Sequence, residues 1–422
     1  MSTRGISTGS MSSGDMSTGS RRSYAGHPHN MRTVVFAGGG TGGHLYPAIS
    51  IASHLRAMHP DLEMRFFTTD RAIDQHILEP TGYDTMPQRL PHVSMKPWRW
   101  AGFVSAYRLA ITRAVHTFKE QRPLAVVGTG GFGSFPCVRA AIKLGIPTAL
   151  LNPDAVPGKA NRVLIRFVDR VFAQWSTDRL TRAAGRRLAV LGCPVRPGFL
   201  DADKVNAESF GLSSHRKTLL VTGASQGARN INRSLLANIA LLTEREDWQV
   251  LHLSGERQWS EVSEAYAAGV GRDHRARFVV LPFTHDMPAV MRMCDLVISR
   301  SGASTLAELT ACGKPSILMP YPYHRDMHQL ANARCLSEAP AGAAARIVID
   351  RADDQENAEA LRSALAELID DTAGRKRMAD AARATGKRDA ARRIAESLCE
   401  MTGCQPVHVS LDRALASSGV GG

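Results

Sequence analysis

The sequence predicts an α/β protein with two doubly wound parallel-sheet domains that face a cleft. Three observations carry this prediction. From Met31 onward, apolar strand candidates alternate with amphipathic helices, a pattern typical of parallel strands wrapped by helices. The alternation lapses through a polar stretch after residues 194–197 and restarts near residue 218. Each half also opens on a strand, a Gly-rich turn and a helix, with the turns at residues 38–43 and 223–227.

Apolar runs set the expected strands and domain limits. The predicted strands are residues 32–37, 63–68, 124–128, 147–151, 170–173 and 188–191, then 218–222, 249–253, 277–281, 296–299, 316–319 and 346–349. The first helix is expected to begin near Pro47, because a first helical turn tolerates proline. The predicted domains are residues 31–197 and 198–385, with the last helix, about 386–402, packing back on the first domain. Near-repeats of five residues predict a disordered tail over residues 1–30, and residues 403–422 form a second flexible tail.

The composition, 44% hydrophobic and 22% charged, is typical of a soluble globular protein. A net charge of +13 favours a polyanionic partner, which leaves nucleic acid, an anionic membrane and diphosphates open. The seven cysteines are scattered without a C-x-x-C pair, so we expect free thiols in a reducing compartment. Since no run reaches the roughly 18 apolar residues that span a bilayer, and no signal peptide is visible, we expect a cytoplasmic protein.

The first Gly-rich turn permits two interpretations. Gly38, Gly40 and Gly43 satisfy G-x-G-x-x-G, and glycines between a strand and a helix allow amide groups to approach an anion closely. The turn is therefore either a phosphate cradle or half of a dinucleotide site. In the second case the protein is an NAD-dependent oxidoreductase, with Asp70 at the end of the second strand as the ribose ligand.

Two more anion sites are predicted in the second half. The turn at residues 223–227 offers amides and the Ser225 hydroxyl, and the segment after residue 299 offers small residues at a helix start. Glu308 follows Thr305 by three residues. Its carboxylate either closes a capping box at the helix start or accepts the two hydroxyl hydrogens of a ribose.

The order of G-G-T-G-G-H, G-G-F-G-S-F-P, D-A-V-P-G-x-x-N, G-C-P-V-R, G-x-S-Q-G-A-R-x-x-N and S-R-S-G-A-x-T-x-x-E resembles the MurG family of bacterial peptidoglycan glycosyltransferases. The resemblance covers roughly Met31 to Cys399. It implies a GT-B fold, with UDP-GlcNAc held mainly by the second domain and a lipid acceptor by the first. The implied reaction is inverting transfer of N-acetylglucosamine to the C4 hydroxyl of MurNAc in lipid I, which forms lipid II without a cofactor.

The resemblance also implies site residues. The donor-binding positions are Arg196, Ser225, Gln226, Gly227, Asn232, Phe283, Thr284, Ser301, Gly302, Ala303, Ser304, Thr305, Glu308, His328 and Gln329. The acceptor-binding positions are Thr41, Gly42, Gly43, His44, Gly130, Gly131, Phe132, Ser134 and Asp154. This chain departs from the family pattern at Phe132, usually Tyr, at Asn152-Pro153-Asp154, commonly Glu-Gln-Asn, and at His328, where the family has Gln.

Two residues are candidates for catalysis. His44 is the leading general base, because imidazole titrates near neutral pH; the alternative is that it binds diphosphate or orders its loop. Asp154 either acts as a base or acceptor, or caps the following turn. Amides at the helix starts near Ser225 and Ser301 are expected to stabilise the leaving diphosphate without a metal ion.

A membrane contact is predicted at residues that mix aromatic and basic side chains: Lys96, Trp98, Arg99, Trp100 and Phe103. The alternative is an ordinary surface helix with a buried aromatic stripe. The first interpretation implies a peripheral protein on the cytoplasmic face of the plasma membrane, with possible cell-wall synthesis partners and no nucleic acid. Other functions that fit are a GT-B enzyme with a different lipid or small-molecule acceptor, and a noncatalytic binder of lipid diphosphates.

Overall fold

The computed structural model describes residues 32–91, 100–201, 205–223, 227–323 and 326–404. Within them, the strands form two sheets, each made entirely of parallel pairs. The predicted tail over residues 1–30 lies outside the described residues, as does most of the tail predicted over residues 403–422.

The first sheet has seven strands in the order β3-β2-β1-β4-β5-β6-β7. Its strands are β1 (Thr33–Gly38), β2 (Glu63–Thr69), β3 (Asp84–Gln88), β4 (Ala125–Gly130), β5 (Thr148–Asn152), β6 (Arg170–Ala173) and β7 (Leu188–Val190). The helices between them are α1 (Gly42–Met58), α2 (Ala72–Leu78), α3 (Trp100–Glu120), α4 (Phe135–Lys143), α5 (Lys159–Leu164) and α6 (Asp178–Ala184).

The second sheet has six strands in the order β10-β9-β8-β11-β12-β13. They are β8 (Lys217–Thr222), β9 (Trp248–Leu253), β10 (Phe278–Leu281), β11 (Leu296–Ser299), β12 (Ser316–Leu318) and β13 (Ala345–Ile347). The helices are α7 (Arg229–Leu236), α8 (Ile239–Thr243), α9 (Trp259–Gly269), α10 (Met287–Met293), α11 (Ala303–Cys312), α12 (His328–Ser337), α13 (Asp354–Asp370), α14 (Thr372–Thr385) and α15 (Ala390–Thr402).

All twelve predicted strands are present, with ends within two residues of those expected. The structure adds β3, an exposed edge strand that contains Pro87 and lacks the apolar run by which a strand is predicted. The predicted start of α1 near Pro47 was wrong. The helix begins at Gly42, so Pro47 lies inside it and His44 belongs to its first turn.

The strand order places four loops at the two points where ligands bind in doubly wound sheets. Neighbouring strands that lead away in opposite directions leave a crevice at their carboxyl ends. In the first sheet these strands are β1 and β4, and in the second they are β8 and β11. The loops that follow these four strands contain both Gly-rich turns, the Gly130-Gly131 pair and the start of α11.

The C-terminal helix α15 packs against α1 of the first domain. Ile394, Leu398 and Cys399 are buried in one apolar cluster with Leu45 and Leu55 of α1. The preceding helix, α14, instead packs against α11 of the second domain. The chain therefore crosses from one domain to the other for a second time between these two helices.

Candidate active site

A fully buried carboxylate organises the first Gly-rich turn. Both oxygens of Asp74 accept the Gly40 amide, at 2.7 and 2.9 Å, and one oxygen also accepts the amide and the hydroxyl of Thr69, at 3.0 and 2.6 Å. A Cβ on Gly39 would overlap this carboxylate, which is why the turn requires glycine there. The Gly40 amide is thus committed to Asp74. Asp74 was not among the predicted site residues, and Asp70, the ribose ligand of the dinucleotide alternative, is exposed.

His44 lies at the contact between the first Gly-rich turn and the loop after β4. Its Nδ1 is 2.9 Å from the Gly39 carbonyl oxygen, which can only accept, so Nδ1 carries the hydrogen of this bond. In the neutral ring Nε2 is then the unprotonated nitrogen. The imidazole lies flat against glycine backbone, since a Cβ on Gly130 or Gly131 would approach it to 2.9 or 3.1 Å. This contact orders the loop and also leaves Nε2 free to accept a proton.

The loop after β4 presents an aromatic ring and hides a hydroxyl. The Phe132 side chain is 41% exposed. Ser134 is fully buried, and its hydroxyl donates to the Gly131 carbonyl at 2.9 Å. Of these two acceptor-side candidates, only Phe132 therefore presents its side chain to a ligand.

Gly227, which ends the second Gly-rich turn, approaches the end of β9 closely. Gly227 has φ +70°, and a Cβ there would overlap the Ser254 carbonyl oxygen. Asn232 donates to the same oxygen at 2.9 Å, and its side-chain oxygen accepts from Nε2 of His252 at 3.0 Å. Burial lowers the pKa of His252 to about 3, which keeps its ring neutral. The buried Asn232 therefore supports the turn from behind. Ser225 and Gln226 lie outside the described residues.

The start of α11 is a source of amide donors. Gly302 precedes the helix and provides no side-chain cap, so the first amides of Ala303, Ser304 and Thr305 have no partner within the helix. Ser301 is fully buried, and its hydroxyl donates to the Gln329 carbonyl at 2.8 Å. The anion-binding capacity of this segment therefore comes from its backbone rather than from the Ser301 hydroxyl.

Glu308 and Arg196 meet below this helix start. Because α11 begins at Ala303, Glu308 is its sixth residue and is misplaced for a capping box, which needs the third. Burial raises the pKa of the Glu308 carboxyl to about 7, and the positive charge of Arg196 opposes the rise. The Arg196 guanidinium carbon lies 4.7 Å from the ring centre of Tyr46 and 5.2 Å from that of Phe199. Arg196 thus links α1 of the first domain to the Glu308 region.

The remaining donor-side candidates follow β10 or begin α12. Phe283 is 43% exposed, and the hydroxyl of Thr284 accepts the Asp286 amide at 3.2 Å. His328 Nδ1 lies 2.8 Å from an Asp326 carboxylate oxygen, and the Gln329 side-chain oxygen accepts the Tyr321 amide at 2.9 Å. The two sides approach closely, because a Cβ on Gly43 would lie 3.3 Å from the Ser304 hydroxyl oxygen.

Comparison with known proteins assigns the chain to a family. Residues 34–173 match the glycosyltransferase family 28 N-terminal domain, and residues 218–394 match the family 28 C-terminal domain. The chain belongs to glycosyltransferase family 28. It is 35% identical to the UDP-N-acetylglucosamine--N-acetylmuramyl-(pentapeptide) pyrophosphoryl-undecaprenol N-acetylglucosamine transferase of Desulforudis audaxviator, over 84% of this chain and 94% of that protein. The enzyme of the same name from Desulforamulus reducens is 34% identical, over 85% and 96%.

Solved structures give the same fold. The structure of Acinetobacter baumannii MurG matches with a TM-score of 0.66 and 24% identity, covering 87% of this chain and 99% of that one. The Staphylococcus aureus MnaA-UDP structure matches with a TM-score of 0.59 and 16% identity, covering 89% and 98%. The predicted resemblance to the MurG family and the predicted GT-B fold of two Rossmann-like domains are therefore confirmed. The alternative of an NAD-dependent oxidoreductase was wrong.

Two further predictions concern features outside this family 28 site. All seven cysteines lie in the described part of the chain and are free, as expected. Of the predicted membrane-contact residues, Lys96, Trp98 and Arg99 lie outside the described residues, as does the side chain of Trp100. Phe103 is half-buried, with its ring centre 4.4 Å from that of Tyr107. No helix in the described residues is long and apolar enough to cross a membrane.

Proposed function

We propose that this protein transfers N-acetylglucosamine from UDP-GlcNAc to the C4 hydroxyl of MurNAc in lipid I, with inversion, to form lipid II. The observation that supports the proposal is that the first turn of α1 lies close to the start of α11, and these two segments offer different chemical groups. The His44 loop supplies a proton acceptor, and the opposing start of α11 supplies amide donors, with Gly43 close to Ser304. The activity named for the family 28 relatives requires both.

In the proposed mechanism, His44 acts as the general base. Its Nε2 takes the proton from the attacking hydroxyl, while the Gly39 carbonyl accepts the Nδ1 hydrogen and so stabilises the imidazolium that forms. Thr41, Gly42 and Gly43, together with Gly130, Gly131 and the exposed Phe132 ring, line the acceptor side. Because the loop backbone holds His44 in place, the hydroxyl is activated without movement of the base.

The donor is held across the cleft. The amides at the start of α11 and the turn at Gly227 stabilise the diphosphate as negative charge develops on it during departure, without a metal ion. Glu308 accepts from the ribose hydroxyls, and the segment at Phe283 and Thr284 contacts the uracil. Gln329 and His328 lie beside the donor sugar. The backbone amides contribute most at this site, because they are fixed before the reaction starts.

Transfer of labelled GlcNAc from UDP-GlcNAc to lipid I tests this function. His44→Ala is expected to lower kcat by about 10²–10⁴-fold with little change in the KM for UDP-GlcNAc. His54→Ala is the matched control, since His54 lies on the same helix and its Nδ1 also contacts a carbonyl oxygen, that of Ser50, at 2.9 Å. Other lipid acceptors compete in the same assay. Transfer to one of them but not to lipid I would replace the proposed acceptor, and absence of any transfer would refute the function.

Membrane association is the second part of the proposal: the protein binds an anionic lipid surface peripherally, on the cytoplasmic face of the plasma membrane. The residues Lys96, Trp98, Arg99 and Trp100 precede or begin α3, where Val104 and Leu109 are 41% and 52% exposed. Lys96→Glu with Arg99→Glu is expected to reduce sedimentation with anionic vesicles. Arg113→Glu with Lys119→Glu, at the far end of α3, is the control pair. Equal sedimentation of both pairs would contradict the proposed contact.

A further inference from the structure

A loop of the first domain is built into the second. The segment after β5 places Ala155, only 4% exposed, in an apolar cluster with Leu306 of α11 and Ala333 of α12. Trp175, which follows β6, belongs to the same cluster. Asn152 at the end of β5, with Pro153 and Asp154 of this segment, is where the chain departs from the usual family sequence. The departure therefore lies at the contact between the domains.

One buried amide joins the two domains here. Asn332 of α12 is fully buried, and its side-chain oxygen accepts the Ala155 amide at 2.8 Å. Its nitrogen donates to the Asp154 carboxylate at 2.8 Å and to the Ser301 carbonyl at 3.1 Å. Both hydrogens of the amide and its oxygen are thus used, and the three partners come from both sides of the cleft. An asparagine with these contacts fixes the distance between the loop and the start of α11.

Two contacts reinforce this arrangement. With its amide nitrogen turned toward the neighbouring carbonyl groups, Gln174 of the first domain donates to Pro153 and to Ala303, both at 3.2 Å. Arg162 on α5 lies 3.9 Å from the Asp326 carboxylate, just before α12. Each joins the loop region of the first domain to the segment that begins α11 or α12.

We propose that Asp154 and Asn332 form an interdomain latch that positions the start of α11 for the donor diphosphate. Asp154 is then a positioning residue and not the general base. The inference rests on the proposed function, because it assigns the diphosphate to the start of α11. The Asp154 carboxylate suits the latch because it accepts a hydrogen directly from the Asn332 side chain. The backbone carbonyl of Asp154 accepts from the Asn152 side-chain nitrogen at 2.7 Å. The Asp154 carboxylate thus faces Asn332, and no amide of the following turn is its partner among the described hydrogen bonds.

Titration calorimetry with UDP and the transfer assay test the latch. Asn332→Ala is expected to weaken UDP binding about tenfold or more, because the start of α11 loses its link to the first domain. Asn238→Ala is the matched control. Asn238 is 2% exposed and donates to two carbonyls, those of Ser234 and Ala358, within the second domain. Both variants should lower Tm by similar amounts, but only Asn332→Ala should weaken UDP binding.

Variants at Asp154 separate positioning from base catalysis. Asp154→Asn keeps an oxygen that accepts from Asn332 and should retain UDP affinity and kcat within about threefold. Asp154→Ala should weaken UDP binding as Asn332→Ala does, and the double variant should be no weaker than either single one. A large fall in kcat for Asp154→Asn at unchanged KM would overturn the latch in favour of a base. The latch would also be overturned if Asp154→Ala bound UDP as tightly as Asn238→Ala does. The same holds for a folded Asn332→Ala variant that bound UDP as tightly as Asn238→Ala. Failure of the wild type to transfer GlcNAc would instead refute the proposed function.

Discussion

Replacing Glu308 by Gln should change how stability depends on pH. Burial raises the pKa of this carboxyl from 4.5 to about 7, so ionisation costs the folded state more than the unfolded chain. The pKa of the Glu308 carboxyl is higher in the folded protein than in the unfolded chain. The stability contributed by the protonated carboxyl is therefore fully present below about pH 4.5 and is lost as pH rises through about 7. The loss is about 3 kcal/mol at pH 8, and between pH 5 and pH 8 it grows by about 2–3 kcal/mol. Glutamine stays neutral throughout and avoids this loss.

Urea denaturation at pH 5 and pH 8 measures this difference. The free energy of unfolding of Glu308→Gln, relative to the wild type, should rise by about 2–3 kcal/mol between the two pH values. Glu400→Gln, at an exposed position on α15, should show no such rise. If Glu308→Gln and the wild type lose stability in parallel, the carboxyl is not desolvated in the folded protein and the reasoning is refuted.

The same carboxyl should give UDP-GlcNAc binding the opposite pH dependence. Ribose hydroxyls donate to the ionised form, so wild-type affinity should increase as pH rises through 7, while Glu308→Gln should show a flat profile. A sugar nucleotide is the appropriate ligand, since its diphosphate does not titrate in this range. A flat wild-type profile alongside the predicted stability change would mean that Glu308 is buried but does not contact the ribose.

Two other variants, each with a control, test the turn proposed to hold the donor and the packing of the last helix. Gly227→Ala should weaken UDP binding by about tenfold or more, because its φ is +70° and its Cβ would overlap the Ser254 carbonyl. Gly82→Ala, with φ +67° and open space around it, should bind UDP normally in the same titration. Leu398→Ala should lower the free energy of unfolding by about 2–5 kcal/mol in urea, because Leu398 is buried against α1. Met401 is only partly buried, so Met401→Ala should lower the free energy of unfolding by less than Leu398→Ala does. Equal decreases for the two variants would contradict this packing.

The sequence predicted the features that depend on local pattern. Buried parallel strands appear as short apolar runs, so the succession of strands along the chain and the three loops after β1, β8 and β11 followed from periodicity and small residues. The loop at Gly130-Gly131 followed only from the family resemblance. The exposed strand β3 lacks that pattern. The partners of Asp74 and Asn332 could not be predicted either, because each depends on segments far apart in sequence: Gly40 is 34 residues from Asp74, and Asp154 is 178 residues from Asn332. The inward direction of the Ser301 and Ser134 hydroxyls likewise depends on packing.

The two sides of the cleft differ in the charge they can hold. At the first Gly-rich turn, the Gly40 amide already donates to a buried carboxylate, and a negative charge beneath the turn disfavours a second anion there. At the start of α11, the amides of Ala303, Ser304 and Thr305 lack helical partners. The leaving diphosphate, which gains negative charge as it departs, is therefore better placed at the start of α11. The turn beside Asp74 is better suited to the proposed base, His44, which would become positively charged on taking a proton. This charge difference supports the proposal that the first turn serves proton transfer.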